Sequence, residues 1–146
     1  GIEAGLDWRV APGLRLRQTY AWSDFRFRGD VQYGDARLPV VPEHLYRAEL
    51  RWDRGPVFVA PSLEWSPQDA FVDYRNTLKS PSYAVFGLSA GWRVTPAASA
   101  FVDVRNIGDK RYVSNFTAVT DARTNSTAVF FPGEGRAVFA GLTLSY

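Results

Sequence analysis

The chain has no cysteine, no methionine and only one histidine. Without cysteine there is neither a disulfide framework nor a thiolate metal site. His44 stands beside Glu43 with no second candidate ligand nearby, so no metal site is expected. No Ser/His/Asp or Cys/His set can be assembled around it either, so we expect no catalysis and no resident cofactor. A basic stripe is also lacking: 17 Lys and Arg face 15 Asp and Glu, a net charge of +2, with Arg scattered along the chain. That argues against a nucleic-acid partner. No signal peptide is present, and no apolar run approaches the roughly 18 residues of a membrane helix. A membrane is not thereby excluded, because barrel strands hide their apolar residues in alternation. Methionine is missing even at the first residue, so we expect a chain cut or processed from something longer.

What the chain does have is aromatic residues, 15% of the total with five Trp, and frequent Gly and Pro. That mixture suits many strands joined by turns. Seven segments alternate with the period of two that belongs to a strand. They are Ile2 to Val10, Leu14 to Trp22, Leu45 to Trp52, Val57 to Ser66, Tyr83 to Val94, Ala100 to Arg105, and a terminal one from Ala137 to Tyr146. The cleanest sets Ala84, Phe86, Leu88, Ala90, Trp92 and Val94 against Tyr83, Val85, Gly87, Ser89, Gly91 and Arg93. The seven apolar faces contain no charge and one clear polar residue, Gln18. The opposite faces carry Arg47/Glu49/Arg51 and Asp103/Arg105, which read as a water-facing wall of ion pairs. A bilayer would demand such exclusion of charge, but so would the interior of a sandwich.

The connections discriminate better. Ala11-Pro12-Gly13, Asp53-Arg54-Gly55-Pro56 and Thr95-Pro96-Ala97-Ala98 are tight turns. Between them lie long connections, Arg28 to Pro42, Pro67 to Pro81 and about Asn115 to Glu134. Short and long alternate strictly, which puts every long loop at one end of the sheet, as in outer-membrane barrels. Trp8, Trp52 and Trp92 each precede a short turn, and Tyr146 ends the last strand running the same way. Four rings at one height make half of an aromatic girdle, with Tyr20, Trp22 and Trp65 near the long loops as the other half. The alternative is a soluble all-β binding module of propeller or sandwich type with no transport role. A propeller would repeat every four strands, whereas here the repeat is a strand pair.

Three stretches carry a resemblance. Val104-Arg105-Asn106-Ile107-Gly108-Asp109-Lys110-Arg111-Tyr112-Val113-Ser114 resembles the penultimate-strand segment of TonB-dependent outer-membrane receptors. Phe131-Pro132-Gly133-Glu134-Gly135-Arg136, followed by an alternating strand ending in an aromatic, is similar to that family's last loop and last strand. Arg37-Leu38-Pro39-Val40-Val41-Pro42-Glu43-His44 resembles its entry into a downward strand. Gly108, where a bulky residue is common, and the terminal Tyr in place of Phe depart from the pattern.

The resemblance implies an all-β antiparallel transmembrane barrel portion, about seven up-and-down strands of a barrel of about 22. Residues 1–146 would be its C-terminal part, with the plug domain and the TonB box outside this stretch. It implies an outer-membrane receptor for TonB-dependent uptake of a large scarce nutrient, most often a ferric siderophore. The expected partners are the lipid bilayer, the barrel-assembly machinery, and TonB through the N-terminal region. The family's assembly signal maps to Gly141, Leu144 and Tyr146. Substrate contacts from the long loops are expected among Tyr33, Arg37, Phe71, Tyr74, Arg75, Lys79, Phe116 and Arg123. Arg28-Gly29-Asp30 reads as a chance match to an adhesion tripeptide, and Gly133-Glu134-Gly135 as a turn. Asn115-Phe116-Thr117 and Asn125-Ser126-Thr127 match the glycosylation pattern, which carries no weight in a bacterial protein.

Overall fold

A strand that alternates apolar and polar side chains can pair on both edges while keeping two chemically distinct faces. The computed structural model describes residues 1–124 and 130–145, and all regular elements among them are strands. In chain order these are β1 (Ile2–Ala11), β2 (Leu14–Trp22), β3 (His44–Arg54), β4 (Val57–Ser66), β5 (Ala70–Phe71), β6 (Lys79–Ser80), β7 (Tyr83–Thr95), β8 (Ala98–Arg105), β9 (Val113–Phe116), β10 (Phe130–Pro132) and β11 (Ala137–Leu144). Seven form one antiparallel meander in the order β1-β2-β3-β4-β7-β8-β11. The other four make two short ribbons, β5 with β6 and β9 with β10, inside the long connections.

The turns follow from their residues. Pro12-Gly13 gives a type II turn, with Gly13 at φ 75° and its carbonyl accepting from the Asp53 N–H at 2.6 Å. Gly55, at φ 60°, precedes Pro56, whose ring excludes positive φ; a II′ turn results. Pairing continues to Arg54↔Val57 and Thr95↔Ala98, so these two turns are tighter than the sequence suggests.

The third long loop starts at Asn106, well before Asn115. There Asn106 adopts φ 46°, and its buried amide donates to the carbonyls of Lys110 and Glu134, 2.9 Å each. This side chain stands in for strand partners, so β8 stops and the backbone departs.

Large apolar side chains on one face of the sheet stay uncovered: Trp92 is 54% exposed and Leu142 79%. Among the described residues, the buried apolar side chains include Ala60, Val72, Phe116 and Val119, and the last three lie outside the seven-stranded sheet. A sandwich would bury its apolar face under a second layer; this chain supplies none among its described residues. The lone polar exception, Gln18, accepts a 2.7 Å bond from the Tyr46 hydroxyl on the adjacent strand. On the opposite face Asp7 pairs with Arg15, Arg47 with Glu64 at 2.6 Å, and Asp103 with Arg105 at 3.0 Å.

The register sets the heights of the Trp residues. Trp8 pairs with Leu16, and Leu16 with Leu50, two residues before Trp52. Trp92 pairs with Val57, and Val57 with Arg54, two residues beyond Trp52. The Trp line therefore descends one residue per strand. One rise of about 3.4 Å over a strand spacing of about 4.8 Å is a slope of about 35°. Barrel strands tilt by that amount, and in a sheet so tilted the three rings are level. Trp22, opposite His44, and Trp65, opposite Tyr46, follow the same slope at the other end. Tyr20 sits one layer lower, its hydroxyl 2.7 Å from the His44 Nδ1. Tyr146 lies outside the described residues, as does the Asn125 triplet.

Glycine serves packing on the charged face. A Cβ on Gly91 would collide with the Phe58 ring, and one on Gly141 with the Phe101 ring. Each ring lies over the glycine of a paired strand, Phe58↔Gly91 and Phe101↔Gly141. Gly141→Val in the intact receptor should therefore cost about 1–3 kcal/mol, the usual penalty of overpacking. Urea titration of folding into vesicles measures it, and adding Phe101→Leu should restore most of the loss. An unchanged midpoint for the single variant would show that the ring does not occupy this space.

Candidate functional site

The three long connections, loop 1 (residues 23–43), loop 2 (67–82) and loop 3 (106–136), all leave the same end of the sheet. Loop 2 is built around Asp73, which is fully buried. Its Oδ1 accepts from the N–H groups of Thr77 at 2.7 Å and Leu78 at 2.9 Å. Its Oδ2 accepts from the Thr77 hydroxyl at 2.5 Å and the Ala122 N–H of loop 3 at 3.2 Å. Burial pushes this carboxyl up, but the four donors outweigh it and hold the group below the usual carboxylate range.

Beside this anchor, aromatic rings from two loops meet. Phe27 and Tyr33 of loop 1 lie 4.9 Å apart between centroids, and Tyr74 of loop 2 is 5.4 Å from Tyr33 and 6.1 Å from Phe27. The Arg75 guanidinium stands 5.6 Å from the Tyr33 centroid, within cation–π range, and is exposed. Arg123 of loop 3 donates to Asp121 at 2.7 and 3.0 Å and holds that carboxyl down to about 2, with Arg75 adding to the effect. The outcome is a three-ring surface with one exposed guanidinium and a second one close by.

Of the eight loop residues expected to contact substrate, Tyr33, Tyr74 and Arg75 come together, with Arg123 linked through Asp121. Arg37 is committed to Glu43 and reaches Asp24 at 3.8 Å, inside loop 1, and it keeps the Glu43 carboxyl below its usual range. Lys79 lies 5.0 Å over the Phe71 ring, apart from the cluster's ring contacts. Phe116 is 8% exposed, its ring 6.2 Å from Phe130, where it fills the β9–β10 ribbon. Phe27, Asp73 and Asn76 were not singled out in the sequence, although Asp-x-x-Asn is a turn signal. His44 is engaged by Tyr20, and no group of three His, Cys, Asp or Glu among the described residues could hold a metal ion.

The charged face of the sheet forms a second concavity of about 450 Å³, lined by Arg17, Arg47, Glu64, Arg105, Tyr112 and Glu134 among others. Tyr83 donates to Glu64 at 2.8 Å and its ring lies 4.7 Å from that of Tyr112. Arg47 donates to the same Glu64, and Arg105 lies 3.6 Å from Glu134.

Residues 1–107 match the family model described as TonB dependent receptor-like, beta-barrel. The chain belongs to the TonB-dependent receptor β-barrel family. Members of this family are outer-membrane transport receptors. The fold is similar to that of the ferric yersiniabactin uptake receptor FyuA from Yersinia pestis, at 24% identity and a TM-score of 0.82, over 99% of this chain and 23% of that one. It is also similar to the siderophore receptor PiuA from Acinetobacter baumannii, at 21% identity and a TM-score of 0.75, over 97% of this chain and 21% of that one. The copper transporter OprC matches at 22% identity and a TM-score of 0.75, over 99% of this chain and 23% of that one. This TonB-dependent receptor chain thus spans under a quarter of the length of these three proteins.

The direction of the Asp73 shift sets an acid limit for the loops. Its folded value lies below the ordinary 3.8, so its stabilising contribution is complete above that pH. As pH falls through the lowered value the contribution is lost, and Arg123, which also faces Asp73, loses an attraction. Amide exchange at Thr77, Leu78 and Ala122, corrected for intrinsic rates, should stay protected down to about pH 4 and loosen below. Loosening between pH 7 and 5 would contradict this.

Proposed function

We propose that the receptor containing this chain takes up a ferric siderophore across the outer membrane, energised through TonB. In this reading residues 1–146 form the C-terminal part of a barrel of about 22 strands, and the plug domain and TonB box belong to the rest of the protein. The observation that carries the reading is the cluster of Tyr33, Tyr74 and Arg75 on the outer loops. Flat rings and a delocalised cation suit an anionic chelate bearing aromatic or carboxylate ligands. Similarity to siderophore receptors supports it. Copper is the second reading, favoured by the likeness to OprC. Copper(I) sites draw on thioether and thiolate ligands, which this chain lacks entirely.

The uncovered apolar face meets the bilayer, with Trp8, Trp52 and Trp92 at one boundary and Tyr20, Trp22 and Trp65 near the other. Gly141, Leu144 and the terminal Tyr146 form the signal read by the barrel-assembly machinery. Gly141 is held beneath Phe101 and Leu144 is exposed; both suit a strand that adds by its edge to a waiting sheet.

The test is growth of a receptor-deletion strain, carrying the full-length gene, on ferric phenolate, catecholate, hydroxamate or citrate complexes under iron limitation. One class should restore growth, and Tyr33→Ala with Arg75→Ala should lower its uptake at limiting concentration about tenfold, the effect of roughly 1.4 kcal/mol of lost binding. Rescue by copper alone, or full uptake by the double variant, would overturn the reading.

A further inference from the structure

We propose that Asp73 and Asn76 are positioning residues that lock loops 1, 2 and 3 into one unit, so that the Tyr33–Tyr74–Arg75 surface is presented preformed. The proposal rests on that surface being the recognition site, but the lock is visible in loop geometry alone. A buried carboxylate is costly unless its oxygens are bonded, and all four donors to Asp73 are uncharged groups held in place by backbone. One of them, the Ala122 N–H, belongs to loop 3. The same joint is reinforced by Tyr74 N–H to the Val119 carbonyl at 3.0 Å and Val119 N–H to the Val72 carbonyl at 3.3 Å. Val72 beneath it is fully buried.

Three residues on, Asn76 joins loop 2 to loop 1. Its Oδ1 accepts from the Arg37 N–H at 2.7 Å, and its Nδ2 donates to the Arg37 carbonyl at 2.9 Å. The side-chain amide thus exchanges both bonds with the backbone N–H and C=O of one residue, as a partner residue in a neighbouring antiparallel strand would. Its φ of 56° and its N–H bond to the Asp73 carbonyl at 3.0 Å close the turn. Arg37 is itself fixed by Glu43, and Val40 of loop 1 donates to the Phe71 carbonyl at 3.0 Å.

Tyr74 and Arg75 are the two residues between these clamps. Their backbone is held on one side against loop 3 and on the other against loop 1, and Tyr74 meets the Phe27 and Tyr33 rings of loop 1. Three independent loops would each lose conformational freedom on capturing a ligand; a joined set has lost it on folding. The three loops are therefore held as one unit.

The experiment places nitroxides at Val31→Cys in loop 1 and Thr120→Cys in loop 3, both exposed, in the full-length receptor in lipid vesicles. Electron–electron resonance should give one narrow distance distribution. Asp73→Asn, which turns an acceptor into a donor facing donors, should broaden it at least twofold. Asn76→Gly keeps the positive φ but deletes the amide, and should broaden it as much while the heat-modifiable mobility of the folded barrel is unchanged. If Asp73→Asn fails to fold, Asn76→Gly alone decides. A narrow distribution in the variants that fold would overturn the proposal. Ferric yersiniabactin serves as the binding probe. If the unsubstituted receptor binds it, Asn76→Gly should raise half-saturation about tenfold with saturated uptake unchanged; unchanged half-saturation would separate the lock from recognition and overturn the positioning role. If the unsubstituted receptor does not bind it, the same comparison is made with the ferric complex that restores growth; failure to bind that complex, with the broadening intact, would count against the recognition site and leave the lock standing.

Discussion

Hydrocarbon offers no hydrogen bonds, so a backbone that crosses it must satisfy every N–H and C=O within the protein. The meander of seven strands follows from that constraint. Each interior strand is paired on both edges, and only β1 and β11 present free edges within this stretch. Because successive side chains point to opposite faces, the same pairing sorts Leu6, Trp8 and Leu142 to one side and Asp7, Arg47 and Asp103 to the other. A one-residue slip would send charges into lipid at roughly 2–4 kcal/mol each near the midplane. Register is therefore strongly specified, and the Gly91 and Gly141 positions beneath Phe58 and Phe101 sharpen it further.

Above the sheet a different economy applies. Water satisfies exposed groups there, so Arg26–Asp24 and Arg123–Asp121 add little to stability as surface pairs. The buried groups matter more. Fully buried Asp73 and half-buried Asn76 add side-chain bonds to the few backbone bonds that join these irregular segments, and together they span all three loops. The aromatic cluster is consequently a composite of loops distant in sequence.

How much of this could be read from residues follows from the range of the interactions. Strand alternation is local, so Tyr83 to Val94 and Val57 to Ser66 were legible nearly to the residue. Turn chemistry at Pro12-Gly13 and Gly55-Pro56 is equally local. The end of β8 at Arg105 was legible, but the start of the third loop was not, since the Asn106 amide that turns the chain there reaches Glu134 across 28 residues. The β9–β10 ribbon is not legible because its strands are short and pair across a long gap, and the packing of Phe116 within it leaves no local trace. Tyr33, Tyr74 and Arg75 were recognisable as types, but their meeting depends on Asn76 binding the backbone of Arg37, a contact 39 residues apart that leaves no periodic trace. Phe27 was missed for the same reason.

The central claim is that the apolar face meets lipid on strands tilted by about 35°. Nitroxides placed one at a time at Trp8→Cys, Trp52→Cys and Trp92→Cys in the full-length receptor, reconstituted in liposomes, test it through their relative accessibility to oxygen and an aqueous nickel chelate. The account predicts a single shared depth, to within about 3 Å, close to the boundary of the hydrocarbon. Upright strands would separate consecutive labels by about 7 Å. Depths that differ by that step, or labels open to the nickel chelate as fully as a luminal site, would contradict it.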